Sequence, residues 1–265
     1  MSIFHAIILG IVQGVGEFLP ISSSGHLIVI PYLFNWQYQG LEFDVALHMG
    51  TLLALLIFFW QDWRKIIASG ISIKSEIQEE KNNHNLLWII LVATIPAAIA
   101  GYFLQSLAEH ALRNPLLVAI LLAVFGLILW LVDLSTSGKM KIKELGYFKG
   151  FIIGIGQAIA IFPGVSRSGS TITAGLLTGF NRENATRFSF LLAVPTVLGA
   201  FALSLKTFNS SLITVPFLVA IATSAAFGLL SIRFLLRYVS KHNFAWFAIY
   251  RFLLAAMIII LYFTR

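Results

Sequence analysis

Residues 10–26 read GIVQGVGEFLPISSSGH, an apolar stretch broken at Pro20 that carries an amide, a carboxylate, three hydroxyls and an imidazole. At an offset of 144 residues, 154–170 read GIGQAIAIFPGVSRSGS, and the two segments align. Gly10 meets Gly154, Gln13 meets Gln157, Phe18 meets Phe162, Ser22 meets Ser166, Ser24 meets Ser168 and Gly25 meets Gly169. Two copies of a polar, Gly- and Pro-broken motif in a greasy chain predict one site built from both.

The surroundings are lipid-like. Of 265 residues 58% are hydrophobic and 11% charged, against about a quarter charged in a soluble domain, and the mean hydropathy is +0.89. Leu86–Gln105, Leu116–Leu134, Leu212–Ser231 and Ala245–Phe263 each approach the ~20 apolar residues that cross a bilayer as a helix. Phe43–Trp60 and Phe188–Leu205 are slightly shorter, which makes six expected spans. The net charge of +7 follows loop position. Thirteen Lys and Arg fall in one set of alternate loops (64–81, 139–149, 182–187, 233–241), and only Arg113, Lys206 and Arg265 fall in the other. Such an asymmetry puts the basic loops in the cytoplasm and both termini outside, so the basic excess marks topology and not a nucleic-acid surface. With no cysteine, disulfides and thiolate metal sites are excluded. The N-terminal stretch lacks a basic region and a small-residue cleavage site, and is expected to be retained.

Residues 3–18 and 21–34 are too short to span comfortably. A broken backbone in lipid is tolerated only inside protein or beside a wet cavity, so 3–34 is expected to be a re-entrant helical hairpin. The second half repeats the plan with short segments at 147–162 and 171–180. The expected architecture is an all-α polytopic membrane protein with an inverted-topology repeat, six transmembrane helices and two re-entrant hairpins. Its first repeat is 1–134, its cytoplasmic linker 135–146 and its second repeat 147–265, with the second hairpin at 147–180. An interfacial helix is expected around Ile66–Ile77. In folds of this kind, substrate sites lie near the midplane where half-helix tips meet.

Glu17 is the only acidic residue deep in an apolar segment, where a carboxylate is costly unless paired or metal-bound. It is either a functional acid or half of an ion pair, with Arg251 in the last span one available cation. Gln13 lies four residues earlier on the same helical face and either shares a metal or water with Glu17 or packs helices. Ser22, Ser23 and Ser24 followed by Gly25 and His26 suggest a loop feeding a helix start, whose free N–H groups attract anions. His26 adds a group that exchanges protons near neutral pH. Arg167, between Ser166 and Ser168 and followed by Gly169, can grip phosphate oxygens or bridge to Glu17. His48, near the outer end of its span, is read as a packing residue, with lining the site as the alternative.

QGVGE at 13–17, FLPISSSGH at 18–26 and PGVSRSG at 163–169 resemble the signature of undecaprenyl-diphosphate phosphatases of the bacitracin-resistance type. The resemblance runs the length of the chain and includes HMGTLLALL at 48–56 and FSFLLAVPT at 188–196. It implies a bacterial plasma-membrane enzyme that hydrolyses the C55 lipid diphosphate to the monophosphate carrier of cell-wall synthesis. It also implies an outward-facing site, a divalent-cation requirement (Mg²⁺ or Ca²⁺) and a tendency to form homodimers. Carried onto this chain, Glu17 matches the second acid of the acidic motif and Gln13 its first position, where many members have Glu. The Gln removes one charge from any two-carboxylate site. On this resemblance Arg167 and the hydroxyls of Ser22, Ser24, Ser166 and Ser168, with the N–H groups of Gly25 and Gly169, hold the diphosphate. Glu17, with Gln13, holds a metal or activates the nucleophile, Ser23 attacks and His26 is acid/base; direct attack by water is the competing route. The rival from another class is a polyprenyl-phosphate flippase or other transporter, because facing hairpins in inverted repeats are also a transporter plan.

Overall fold

A computed structural model describes residues 1–71, 78–205 and 213–264, with side chains omitted at 41, 78–84 and 105–111. It is helical, and no strand occurs among the described residues. Helix α1 runs Ile3–Phe18, α2 Ser23–Phe34, α3 Leu41–Phe58, α4 Trp60–Ile71, α5 Gln78–His110 and α6 Pro115–Ser135. Then come α7 Tyr147–Ile159, α8 Arg167–Leu177, α9 Arg182–Ser204, α10 Val215–Val239 and α11 Ala245–Thr264. Five stretches among the described residues are long and apolar enough to cross a membrane: Asn85–Leu104, Pro115–Ser135, Arg182–Ser204, Val215–Val239 and Ala245–Thr264. A sixth exists if α3 and α4, bent by 77° at Phe59, count as one span. The chain is therefore a multi-pass all-α membrane protein. The range expected to hold an interfacial helix, Ile66–Ile77, overlaps α4 as far as Ile71, and the rest of it lies outside the described residues, as do Lys206 and Arg265.

The breaks follow from local chemistry. Pro20 disfavours helical geometry at Leu19, and α1 ends at Phe18. The chain then turns through Ser22, which adopts φ +74°, and the Ser22 Oγ accepts from Gly25 N to cap α2. Ser166 repeats this with φ +75° and its Oγ accepting from Gly169 N. The second short helix thus starts at Arg167, four residues before the expected 171, because Ser166 caps it.

Packing crosses between the halves. The first short helix, α1, lies along α10, and its counterpart α7 lies along α5. Glycine permits both approaches. A Cβ at Gly14 would stand 2.6 Å from the carbonyl of Ser224 and one at Gly154 would meet the carbonyl of Ala93, the small-residue contact that lets membrane helices close up. Phe18 meets Phe190 edge-on at 5.2 Å between ring centroids, seating the first hairpin on α9. Large apolar side chains such as Phe103, Phe148, Trp246 and Leu253 cover the outside, as a lipid-facing surface requires.

The basic segments gather at one end. Arg187 pairs with Asp62 at 2.5 Å, Arg182 with Asp133 at 2.5 Å, and Asp133 also accepts from Phe244 N at 2.8 Å. At the other end Asp44 accepts from Tyr38 at 2.7 Å and pairs with Arg113 at 3.3 Å.

Candidate active site

The two serine turns meet. Ser168 Oγ donates to the carbonyl of Leu19 at 3.1 Å, joining the second turn to the first. Arg251 of α11 lies behind both, fully buried. It donates to the carbonyls of Gly164 at 2.8 Å, Val165 at 3.1 Å and Pro20 at 3.4 Å, and its Nε reaches Leu122 O at 2.9 Å. Backbone carbonyls freed by the two breaks must be satisfied inside a membrane protein, and one guanidinium serves both. Arg251 is therefore a clamp on the breaks and does not touch Glu17.

Glu17 is the hub. Its Oε1 accepts from Arg167 Nη2 at 2.6 Å across the two hairpins. Its Oε2 accepts from Ser23 Oγ at 2.7 Å and from Gln13 Nε2 at 3.1 Å. Arg167 is held from behind by Ser189, whose carbonyl accepts from Nη1 at 3.1 Å. The carboxylate is only 5% exposed and the guanidinium 14%, so the pair sits in a low-dielectric setting where charge interactions are strong. A hydroxyl donating to a fixed carboxylate, itself oriented by a cation and an amide, is the arrangement of an activated nucleophile.

The two histidines divide differently from expectation. The His26 Nδ1 lies 2.7 Å from Ser22 O and its Nε2 2.7 Å from Tyr250 OH. A carbonyl only accepts, so Nδ1 carries the proton and Nε2 accepts from the tyrosine. Both nitrogens are occupied, and the ring stacks on Tyr250 at 5.7 Å without a bond to Ser23 or Glu17. His48, expected to be packing, stands beside the carboxylate, with Nε2 3.4 Å from Glu17 Oε2. Its Nδ1 donates to Asp44 O at 2.7 Å, leaving Nε2 as the nitrogen free to exchange a proton with Glu17. Sequence reasoning missed this because it depends on the rotational setting of α3 against α1, for which 48–56 holds no local signal.

The remaining predicted residues line the turns. Ser22 and Ser24 hydroxyls lie 3.4 Å apart and Ser166 and Ser168 3.2 Å apart. Ser22 and Ser166 are occupied as caps, whereas Ser24 faces a cavity of about 270 Å³ shared with His48, Asp44 and Arg113. Gly101, Ile161, Ala200 and Leu203 are common to this cavity and to a neighbouring one of about 580 Å³. The larger cavity is mostly apolar and includes Arg167 and Gln157.

No group of three or more His, Cys, Asp or Glu that could hold a metal occurs among the described residues. Gln13 Oε1 is buried without a hydrogen-bond partner. With Glu17 it offers two oxygens, so a hard cation would draw its remaining ligands from a substrate and water, a common mode for Mg²⁺.

The family model described as bacitracin resistance protein BacA matches residues 6–257. An undecaprenyl-diphosphatase of Moorella thermoacetica is 46% identical over 265 residues, covering all of both chains. One from Caldicellulosiruptor bescii is 48% identical over 268 residues, covering 100% of this chain and 99% of the other. One from Pelotomaculum thermopropionicum is 43% identical over 261 residues, covering 98% and 97%.

Proposed function

This chain belongs to the bacitracin resistance protein BacA family, and from that premise we propose how it works as an undecaprenyl-diphosphatase. It hydrolyses undecaprenyl diphosphate to undecaprenyl phosphate and inorganic phosphate, which returns the lipid carrier to cell-wall synthesis and underlies bacitracin resistance. The observation that carries the mechanism is the Glu17 carboxylate, 2.7 Å from the Ser23 hydroxyl and 2.6 Å from the Arg167 guanidinium.

Phosphoanhydride cleavage depends on positioning and on neutralising charge at the transferred group. Arg167 and the hydroxyls of Ser24 and Ser168 receive the diphosphate, and Glu17 exchanges part of its hold on Arg167 for its role as base. The Ser23 oxygen attacks the terminal phosphorus while its proton passes to Glu17. The bond to the bridging oxygen breaks, and the lipid monophosphate leaves with the electron pair. After that proton leaves Glu17 by way of His48, water attacks the phosphoserine and gives a proton to Glu17; the bond from phosphorus to the Ser23 oxygen breaks, Glu17 returns the proton to that oxygen, and phosphate departs with the hydroxyl restored. His48, at 3.4 Å from Glu17, passes protons between that carboxylate and the cavity. His26 holds the Ser22 carbonyl and so positions the serine turn. A Mg²⁺ or Ca²⁺ arriving with the substrate would be held by Glu17 and Gln13 Oε1 and would supply further charge neutralisation.

The architecture adopted with this reading is two inverted repeats, each a re-entrant hairpin and three spans. Support comes from the matched caps at Ser22 and Ser166 and from the exchange of partners by α1 and α7. The basic end faces the cytoplasm under the positive-inside rule, with the termini and the site on the outside. The named relatives are diphosphatases, and nothing favours the transporter reading. Release of inorganic phosphate from C55 diphosphate by the purified chain tests the function. Release lost in Glu17→Ala is expected, and no release by wild type would refute it.

A further inference from the structure

Gln157 is 3% exposed, and neither its Nε2 nor its Oε1 has a hydrogen-bond partner. An amide buried without partners is unfavourable, and an apolar side chain of similar size would remove the penalty. The repeat sharpens the point. Gln13, its counterpart, donates to Glu17 four residues on, but the residue four after Gln157 is Ile161. The second half keeps the amide without the acid.

The side chain lines the cavity of about 580 Å³ between α5, α7 and α9, where Arg167 is the only charged lining residue among the described residues and most others are small and apolar, such as Ala97, Gly199 and Ala200. Its ligand should join anionic oxygens to a slender hydrocarbon chain. Arg167 borders this cavity and also reaches Glu17 at 2.6 Å, so one guanidinium can touch both phosphates of a diphosphate. We infer that Gln157 and Arg167 hold the lipid-linked phosphate, the one retained in the product, with the first isoprene units lying in this cavity. This rests on the hydrolase reading above. When the bond between terminal phosphorus and bridging oxygen breaks, the electron pair moves onto the lipid-linked phosphate, and the Gln157 N–H donates to the oxygen that gains the charge.

The test compares wild type with Gln157→Leu in the detergent-purified full chain. Because the amide has no partner without ligand, Gln157→Leu should melt at or above the wild-type temperature. Undecaprenyl monophosphate should protect it from thermal unfolding only at about tenfold higher concentration, a difference of about 1.4 kcal/mol. Protection by inorganic phosphate should stay within about twofold. Unchanged monophosphate protection, equal loss for both ligands, or a lowered melting point without ligand would each overturn the assignment. These readouts need no turnover. If wild type released no phosphate yet Gln157→Leu lost monophosphate protection selectively, the hydrolase reading would fall and the Gln157 site would stand.

Discussion

Removing Arg167 should destabilise the protein as well as silence it. In Arg167→Ala, Glu17 keeps its buried carboxylate, 5% exposed, but loses the cation at 2.6 Å. Stranding one member of a buried pair costs about 3–5 kcal/mol. Ser23 and Gln13 still donate to the carboxylate, which places the loss at the low end, about 3 kcal/mol. At about 2–4 °C per kcal/mol for a chain of this size, melting should fall by roughly 10 °C. Glu17→Gln with Arg167→Ala removes both charges and should recover most of that loss, a coupling of about 2 kcal/mol, while phosphate release stays abolished. The assay is thermal unfolding in detergent for wild type, both single variants and the double variant, alongside phosphate release. Additive losses in the double variant, or an Arg167→Ala protein that melts like wild type, would refute the buried pair.

Three further outcomes are expected. His48→Gln keeps a polar group near Glu17 but cannot shuttle protons, so kcat for phosphate release should fall about 10²-fold with KM little changed; a wild-type kcat would remove His48 from the proton route. Gln13→Glu places a second carboxylate beside Glu17, and after chelation its Mg²⁺ or Ca²⁺ titration should reach half-activity at about tenfold lower metal than wild type. An unchanged titration would place the metal elsewhere. Arg251→Met leaves the carbonyls of Gly164, Val165 and Pro20 without their shared donor, at about 1–3 kcal/mol for each buried group left unsatisfied. It should melt lower than Arg167→Ala, and unchanged melting would contradict its role as clamp.

What could be read before folding was whatever local chemistry or repetition decides. Pro20 with the serine run after it, recurring as Pro163 with 166–168, announced both breaks, and the apolar runs announced the spans; that Ser22 and Ser166 are the caps came from the structure. Glu17 and Arg167 were recognisable because a charge at membrane depth needs a partner. Distances that depend on helix rotation were not legible. That α3 turns His48 onto Glu17, and that Tyr250, 224 residues away, lies against the second nitrogen of His26, are contacts that no local pattern announces. Arg251 was expected as an available counter-ion for Glu17 because sequence does not reveal which carbonyls two broken helices leave unpaired. The unpartnered Gln157 emerged only from the structure, as a cost with no local repayment.

The most direct measurement is an experimental map of the protein bound to a polyprenyl methylene-diphosphonate, which cannot be hydrolysed. The terminal phosphonate should lie within hydrogen-bonding distance of Ser23 Oγ and Arg167, with Glu17 against the serine. A headgroup bound away from these side chains, or Arg167 and Glu17 facing separate cavities, would contradict a site made from both hairpins.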